Sequence, residues 1–478
     1  MAAGPVTESE AREKAAQFVF SKKGDASATR GVYRFGSSGG TGATLTVGEA
    51  QKAFYVFNID SDGGYVIVSG DDRMPDVLGY SYSGTFMPDK IPANMRAWLD
   101  GYAEQYEYLQ ANSGAQAVTR TSVLGERIEP LLVTHWKQNA PYNEKCPKIH
   151  GESTLTGCVA TAMAQVMYYH QWPKRTTKEI PGFTYYYEDS EGKEEEIEVP
   201  AVGVTEIDWD NMLPSYKDDD GTSAERDAVA TLMLLCGNSV EMTYGIDGSS
   251  ASINYARMVL PEYFDYDGFS IGYVNRSGYD NADWNQLMYD ELSNNGPVLY
   301  KGNSKQYGGH AFVIDGYDAD DYFHVNWGWG GNDDGYFLLD ALKDYNKTQG
   351  AIIGLKRNNS TGACAYSVLD SGVLTFYYDD KRQERSGTVF TRLPGQMEDS
   401  YLEYLDEITS VVFDPSFAEF HELMDVSHMF HGLENLTSIK GMEYLDTRKV
   451  TNMNQMFYNC SALTSLDVSA MIHGMCRT

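Results

Sequence analysis

STLTGCVATAMAQVMYYH, residues 153–170, is the stretch that decides the fold. It opens with small and polar residues and then carries apolar residues at positions 159, 162, 163, 166 and 167, the spacing of one buried helical face. Pro173 predicts the end of this helix. Cys158 is therefore expected in the first turn, where unpaired N–H groups and the helix dipole favour a thiolate. A thiolate is the attacking species in cysteine catalysis, but most free cysteines are simply small buried residues, so the rest of the chain must decide.

Length, charge and cysteine spacing limit the classes of protein to which this chain can belong. The 478 residues predict roughly three domains. A balance of 37 basic and 68 acidic residues argues against nucleic acid and anionic membranes as partners, because both repel a net charge of −31. The six cysteines contain no CxxC pair, so neither a zinc site nor a disulfide framework is supported, and no cofactor is predicted. No apolar stretch is long enough to span a bilayer, and the first residues lack the core of a signal peptide, so the chain is either cytosolic or has lost a signal.

The N-terminal region reads as a small α+β unit. Residues 8–22 and 92–112 have helical patterns, residues 53–59 and 64–70 form a predicted hairpin turned at 60–63, and residues 77–81 form a third strand. The following segment, 113–127, begins with small, polar residues without periodicity. It is therefore expected to be an exposed linker that is readily cut by proteases.

The central region is helix-rich first and strand-rich afterwards. A second apolar helix at 225–238 is expected to bury Cys236. Strands are predicted at 297–300, 310–316, 322–327 and 335–339, and their alternation and glycine turns indicate an antiparallel sheet or barrel. The acidic runs 188–198 and 218–220 read as solvated loops, because they lack the ligand spacing of a calcium loop.

A catalytic thiolate needs a base, an orienting group and an oxyanion donor. His310 is the candidate base, because it starts an apolar strand after two glycines; His135, His150, His170 and His324 are weaker candidates. Asn326 can orient the imidazole if the two strands pair, with Trp327 or Trp329 covering that bond. The N–H of Cys158 and the side-chain amide of Gln138 are the candidate oxyanion donors. The Trp-Gly-Trp-Gly-Gly loop also has a plain structural interpretation, that of a packed aromatic turn.

Three motifs in this order resemble the streptopain family (family C10) of bacterial, papain-fold cysteine peptidases. They are GCVATAMAQVM at 157–167, GGHAFVIDG at 308–316 and HVNWGWGG at 324–331. By this resemblance Cys158 is the nucleophile, His310 the general base, Gln138 the oxyanion glutamine, and Asn326 with Trp327 the orienting group. The resemblance also implies an inhibitory prodomain at 1–112, activation cleavage in the linker, export from a bacterium with a role in virulence, and protein or peptide substrates with an apolar residue two before the cut. One departure bears on substrate preference: the segment 343–350 is short where a family member carries a long glycine-rich loop.

The C-terminal third, 358–478, lies outside that resemblance. Residues 367–378 suggest strands. The sequence DVSHMF at 425–430 recurs as NMNQMF at 452–457, and LTSI at 436–439 recurs as LTSL at 463–466, both with an offset of 27. This period is typical of leucine-rich solenoids and resembles BspA-like surface repeats. A binding module for a surface or host protein and a structural appendage both fit it. About two repeats make only a marginal solenoid. The pattern is incomplete at Thr478, so the repeat region is expected to be truncated.

The sequence thus predicts an α+β protein with a papain-like, two-lobed peptidase of one helical and one antiparallel sheet lobe. The predicted divisions are a prodomain at 1–112, a linker at 113–127, a peptidase at 128–357, a β-rich segment at 358–410 and a repeat segment at 411–478. The expected function is a secreted or surface-associated cysteine endopeptidase made as a zymogen, working through a Cys-His pair and a thioester. Two rivals stay open: a catalytically idle surface adhesin, and a thiol amidase acting on cell-wall peptides.

Overall fold

The structure is a computed structural model. It describes residues 4–22, 53–59, 63–112, 114, 124–188, 192–217, 221–304, 308–340, 349–358, 362–393, 402–469 and 471. Residues 60–62 of the predicted hairpin turn, most of the predicted linker, the acidic run 218–220 and most of the short segment 343–350 lie outside these residues.

In the described residues, the first four α-helices have bounds close to the predicted ones, and the last two were not predicted. The helices are α1 Glu8–Lys22, α2 Ala93–Ala111, α3 Cys158–His170, α4 Ser223–Ser239, α5 Ala256–Tyr263 and α6 Asn281–Asn294. The strands are β1 Phe54–Asn58, β2 Tyr65–Ser69, β3 Val77–Ser81, β4 Lys148–Ile149, β5 Glu152–Ser153, β6 Phe183–Glu188, β7 Glu194–Val199, β8 Gly272–Asn275, β9 Val298–Ser304, β10 Gly308–Tyr317, β11 Phe323–Asn326, β12 Gly335–Phe337, β13 Gly350–Ile353, β14 Cys364–Asp370, β15 Val373–Asp379, β16 Thr388–Phe390, β17 Ser410–Phe413 and β18 Ser438–Lys440.

One sheet runs through both the N-terminal unit and the central region. In the described residues its strand order is β1-β2-β3-β12-β11-β10-β9-β13-β8. The junction is the antiparallel pair β3–β12, in which Tyr80 lies opposite Tyr336 and Gly79 opposite Phe337. Gly79 allows this approach, because a Cβ there would lie 2.6 Å from the Phe337 ring. The sequence separates the two units at the linker, whereas the structure extends the central sheet with the three N-terminal strands.

The two faces of β10 belong to different cores. Ala311 and Val313 pack in the core that contains helices α3 and α4. Phe312 and Ile314 pack in the core that contains α2 and α6. This division follows from the alternation of side chains along a strand. Strand β10 is therefore covered by the helical lobe on one side and by the N-terminal unit on the other.

Helix α4 confirms the second predicted apolar helix. It begins with a capping box in which the Thr222 side chain accepts the N–H of Glu225 and the Glu225 carboxylate accepts the N–H of Thr222. Cys236 near its end is fully buried, and burial raises the pKa of its thiol well above the usual range. Cys236 therefore has the plain structural role that its position in the pattern indicates.

The C-terminal region forms one further sheet, with the order β16-β14-β15-β17-β18. The pairs β15–β17 and β17–β18 are parallel, as successive turns of a solenoid are. The two copies of the repeat stack on each other: Asp425 bridges to Asn452, and the His428 ring contacts the Gln455 amide. The predicted β-rich and repeat segments share this sheet and one apolar core, so the structure joins what the sequence analysis divides at residue 410. The specific likeness to BspA-type repeats stays a prediction.

This C-terminal unit is fastened to the central region beside β8. Phe269 of the central region packs in the core of the C-terminal unit, 6.4 Å between ring centroids from Phe376. Arg257 forms an ion pair with Asp425 at 3.0 Å, and the Asp425 side chain is 2% exposed. Asp425 Oδ1 also accepts the N–H of Ser427. A buried carboxylate with these partners fixes the repeat to the enzyme body.

Asp425→Ala is expected to destabilise the full chain by about 3 kcal/mol, because it leaves the Arg257 guanidinium without its buried partner. Chemical unfolding followed by tryptophan fluorescence measures this loss. Asp467→Ala is the matched control: Asp467 makes the same turn, accepting the N–H of Ser469, but on an exposed surface. Equal losses in the two variants would contradict a stabilising role for the ion pair.

Candidate active site

Cys158 is the first residue of α3, as predicted. Gly157 precedes it with φ 85°, a left-handed conformation that suits glycine and turns the chain sharply into the helix. A Cβ at Gly157 would also lie 2.6 Å from the Met242 sulfur, so position 157 is restricted on two counts. The Cys158 thiol is partly exposed and accepts the N–H of Ala311 at 3.4 Å. Helix start and strand β10 therefore meet at the sulfur atom.

The pKa of the Cys158 thiol is shifted in the direction opposite to the one expected for a helix start. Burial raises the pKa of the thiol above its ordinary value. The backbone N–H groups of Ala311, Cys158 and Val159 act in the opposite direction and offset the effect of burial only in part. The net shift in this structure therefore favours the thiol over the thiolate.

His310 adjoins the thiol along the chain, since its neighbour Ala311 donates to the sulfur. In the β9–β10 register His310 lies opposite Gly302. By alternation its side chain projects from the same face as Phe312, the face that α2 covers, while Ala311 projects toward α3. Strand β10 thus carries the candidate base and also contacts the nucleophile at the start of α3. The candidate base lies on the face of β10 that the N-terminal unit covers.

Asn326 is held at the end of β11 by three hydrogen bonds. Strands β10 and β11 pair as expected, and Asn326 lies opposite Val313, three residues beyond His310. Its Oδ1 accepts hydrogen bonds from Gln165 Nε2 and from the N–H of Gly328, both at 3.0 Å, and its Nδ2 donates to Thr134 O. Asn326 therefore ties β11 to helix α3, and its predicted role in orienting His310 stays a prediction.

Trp327 lies on the His310 side of the sheet. Its ring packs against Phe312 with 4.9 Å between centroids and is 1% exposed. Its N–H donates to Asp334 Oδ1, and its carbonyl oxygen accepts Asn94 Nδ2 at 2.5 Å. Asn94 is buried in the first turn of α2, so an amide of the N-terminal unit occupies the backbone carbonyl of Trp327.

Gln138 is held at the entrance to α3. It is 7% exposed, and its backbone oxygen accepts the N–H of Thr156, two residues before the nucleophile. This bond brings the loop that carries the predicted oxyanion amide alongside the start of the helix.

The weaker histidine candidates have structural partners. His324 Nδ1 lies 2.6 Å from Asp315 Oδ1. Burial lowers the pKa of His324, but the Asp315 carboxylate outweighs it and the net pKa is raised. His170 contacts the Tyr266 hydroxyl, and burial lowers its pKa to about 4. Neither ring adjoins the thiol.

Two residues of the site were not singled out from the sequence. Asn94 gave no signal, because its partner lies 233 residues away along the chain. Gln165 did give one: it is a polar residue inside the apolar helix, seven positions after Cys158, and it is fully buried. A buried glutamine must find hydrogen-bond partners, and here they are Asn326 and Thr134.

In the described residues, no cluster of three or more His, Cys, Asp or Glu side chains is suited to hold a metal ion. Within the same residues, no helix is long and apolar enough to cross a membrane.

The raised pKa gives a testable prediction about the intact chain. Iodoacetamide reacts with the thiolate, so alkylation of Cys158 in the uncut protein is expected to be slow at pH 7 and to accelerate as the pH rises past 9. Mass spectrometry of the Cys158 peptide measures the rate at each pH. Fast, pH-independent labelling between pH 6 and 8 would contradict a protonated thiol in the intact chain.

Comparisons with known proteins agree with this arrangement. The model of the Peptidase C10 family matches residues 136–337, and that of the Spi protease inhibitor matches residues 3–106. Streptopain from Streptococcus pyogenes is 36% identical over 326 residues, which cover 63% of this chain and 80% of that protein. The thiol protease/hemagglutinin PrtT of Porphyromonas gingivalis is 33% identical over 383 residues, covering 74% of this chain and 42% of PrtT.

A solved structure is similar as well. A fragment of prointerpain A from Prevotella intermedia aligns with a TM-score of 0.53 and 34% identity, covering 64% of this chain and 96% of the fragment. The matches include the N-terminal unit, which therefore corresponds to an inhibitory prodomain, and the predicted papain-like α+β fold is confirmed. The chain belongs to the Peptidase C10 family, and it is a cysteine peptidase made as a zymogen.

Proposed function

We propose that Cys158 and His310 carry out peptide hydrolysis once the N-terminal unit has been released. Cys158 Sγ attacks the carbonyl carbon of the substrate while His310 takes the thiol proton. The tetrahedral intermediate collapses to a thioester as His310 returns the proton to the leaving amine. Water, deprotonated by His310, then attacks the thioester and regenerates the thiol. The observation that carries this assignment is the 3.4 Å contact between Cys158 Sγ and the N–H of Ala311, next to His310 in the chain.

The remaining site residues take supporting roles in this proposal. The amide of Gln138 and the N–H of Cys158 stabilise the oxyanion. Trp327 offers its carbonyl oxygen to the imidazole N–H after Asn94 has left, and its ring shields that bond from water. Asn326 is a positioning residue, because its side chain joins β11 to α3 through Gln165.

Inhibition in the intact chain has one direct cause in this proposal. Asn94 donates to the Trp327 carbonyl oxygen, so the N-terminal unit engages the oxygen that the proposal assigns to the imidazole. Burial of Cys158 also raises the pKa of its thiol and so disfavours the attacking thiolate. The Asn94 contact ends when cleavage in the 113–127 linker lets the unit depart.

Export and surface attachment complete the proposal. A net charge of −31 suits a protein outside the cell, and the streptococcal and oral relatives are bacterial proteases. We propose a secreted or cell-surface enzyme with a role in virulence, whose leucine-rich-repeat-like segment binds a surface or host protein.

Cys158→Ala is expected to lower casein hydrolysis by at least about a thousandfold, because no other group replaces the nucleophile. The full chain is first cut in the linker by limited trypsin digestion, and trypsin is then inhibited. Cys236→Ala, which removes a buried thiol of the same region, should retain activity. Full activity of the Cys158 variant would exclude the proposed role and favour another nucleophile.

Asn94→Ala is expected to raise the activity of the uncut chain severalfold, because it frees the Trp327 carbonyl. A fluorogenic peptide assay before any cleavage measures this. Asn112→Ala is the control, since Asn112 donates to Tyr108 O within the same helix at its other end. Unchanged latency in the Asn94 variant, with the control also latent, would remove Asn94 from the inhibitory contact.

A further inference from the structure

Trp98 of the N-terminal unit fills an aromatic pocket in the peptidase. The indole is 6% exposed. Its ring centroid lies 5.6 Å from that of Phe312, 6.3 Å from Tyr300 and 6.4 Å from Trp327. These three rings belong to the central region, and Trp98 comes from α2. The pocket is therefore built from residues that stay with the enzyme, and its present occupant leaves with the prodomain.

Gly302 forms the floor of this pocket. A Cβ at this position would lie 3.2 Å from the Trp98 ring and 3.3 Å from the Phe312 ring. Its φ lies outside the left-handed region, so the backbone itself does not require glycine. Glycine inside a strand is unfavourable by about 0.5–1 kcal/mol relative to alanine, and close approach of another group is a common reason for it. The reason here is space for a large ring above β9.

The walls of the pocket offer ring surfaces. The indole N–H of Trp98 donates to Tyr102 OH of its own helix, at 3.1 Å. The Tyr300 hydroxyl is engaged with Trp284 and Gln349, so it is directed into the protein. A side chain that replaces the indole is therefore held by apolar and aromatic contacts, which favour large apolar groups.

The pocket adjoins the candidate base. Gly302 is the direct cross-strand neighbour of His310, and the two positions share one sheet face. The base returns its proton to the leaving amine, so it stands beside the part of the substrate that follows the cleaved bond. This places the Trp98 pocket on the leaving-group side of the active site.

We propose that, after the N-terminal unit departs, this pocket receives a large apolar side chain of the substrate from the leaving-group side, and that Gly302 sets this preference. The inference rests on the proposed function, because it assigns the base to His310. In the intact chain Trp98 occupies the place of that substrate side chain.

The test uses the full chain, activated by cleavage in the linker, and two sets of peptides that share one acyl side. Each set varies one residue, at the first or the second position after the cut, among Trp, Phe, Leu, Ala and Gly. At one of these positions kcat/KM is expected to be about tenfold higher for Trp, Phe and Leu, as burial of a large apolar side chain implies. Gly302→Val fills the pocket and should abolish that preference, lowering kcat/KM for the Trp, Phe and Leu peptides about tenfold more than for the Ala and Gly peptides.

Two further variants serve as controls. Gly272→Ala adds a side chain to another strand of the same sheet, where a Cβ would make only ordinary contacts at 3.5 Å or more, and it should keep the preference. Trp98→Ala should also keep it, but should weaken inhibition by the N-terminal unit. An equal loss for all peptides in Gly302→Val, or no preference in the wild-type enzyme, would overturn the inference. Absence of any peptide cleavage by the activated wild-type chain would instead overturn the proposed function.

Discussion

The side chains of strand β10 pack into two different hydrophobic cores, one on each face. The positions of the catalytic residues and of the N-terminal unit depend on this constraint. Ala311 and Val313 pack toward α3, while His310 and Phe312 project toward α2. A shift of one residue in the β9–β10 register would exchange the two faces, so the register is strongly specified. The same alternation puts the Ala311 N–H at the thiol and the neighbouring imidazole on the face that the prodomain covers. The contact at the nucleophile and the covering of the candidate base by the prodomain therefore both follow from the alternation of side chains along β10.

The N-terminal unit is held on the peptidase by strand pairing and by the packing of apolar side chains. The prodomain adds strands to the sheet at β12 and covers the adjacent face with the aromatic side chains of α2. Each large apolar side chain buried there contributes about 1.5–3 kcal/mol. The single Asn94 bond contributes less, but in the proposed mechanism it engages the Trp327 carbonyl oxygen that orients His310 in the active enzyme. The proposal thus assigns the affinity of the N-terminal unit and the block of catalysis to different residues of α2.

The sequence predicted the local features well, because each depended on nearby residues. The bounds of α3 followed from its apolar spacing and Pro173, and the strands around His310 followed from alternation. The register between β10 and β11 could not be predicted, because strand pairing alone does not specify it: Asn326 lies opposite Val313 and bonds to Gln165. The direction of the Cys158 pKa shift could not be predicted either, because burial in the folded chain opposes the helix start. The roles of Asn94 and Gly302 depend on contacts more than 200 residues apart and had no local signature.

In the described residues, the nine-stranded sheet adjoins the prodomain at one end and the C-terminal unit at the other. Activation is expected to remove the first and to leave the second in place. The prodomain pairs at β12, which is only three residues long, so its departure exposes a short edge that offers few free backbone groups to another chain. The C-terminal unit is attached near β8 at the opposite end, through the Arg257–Asp425 pair and the inserted Phe269. These contacts involve no residue of the N-terminal unit, so cleavage in the linker leaves them intact. The repeat segment is therefore expected to keep its position on the active enzyme, and the surface or host protein that we propose as its ligand would be held in a constant geometry relative to β10.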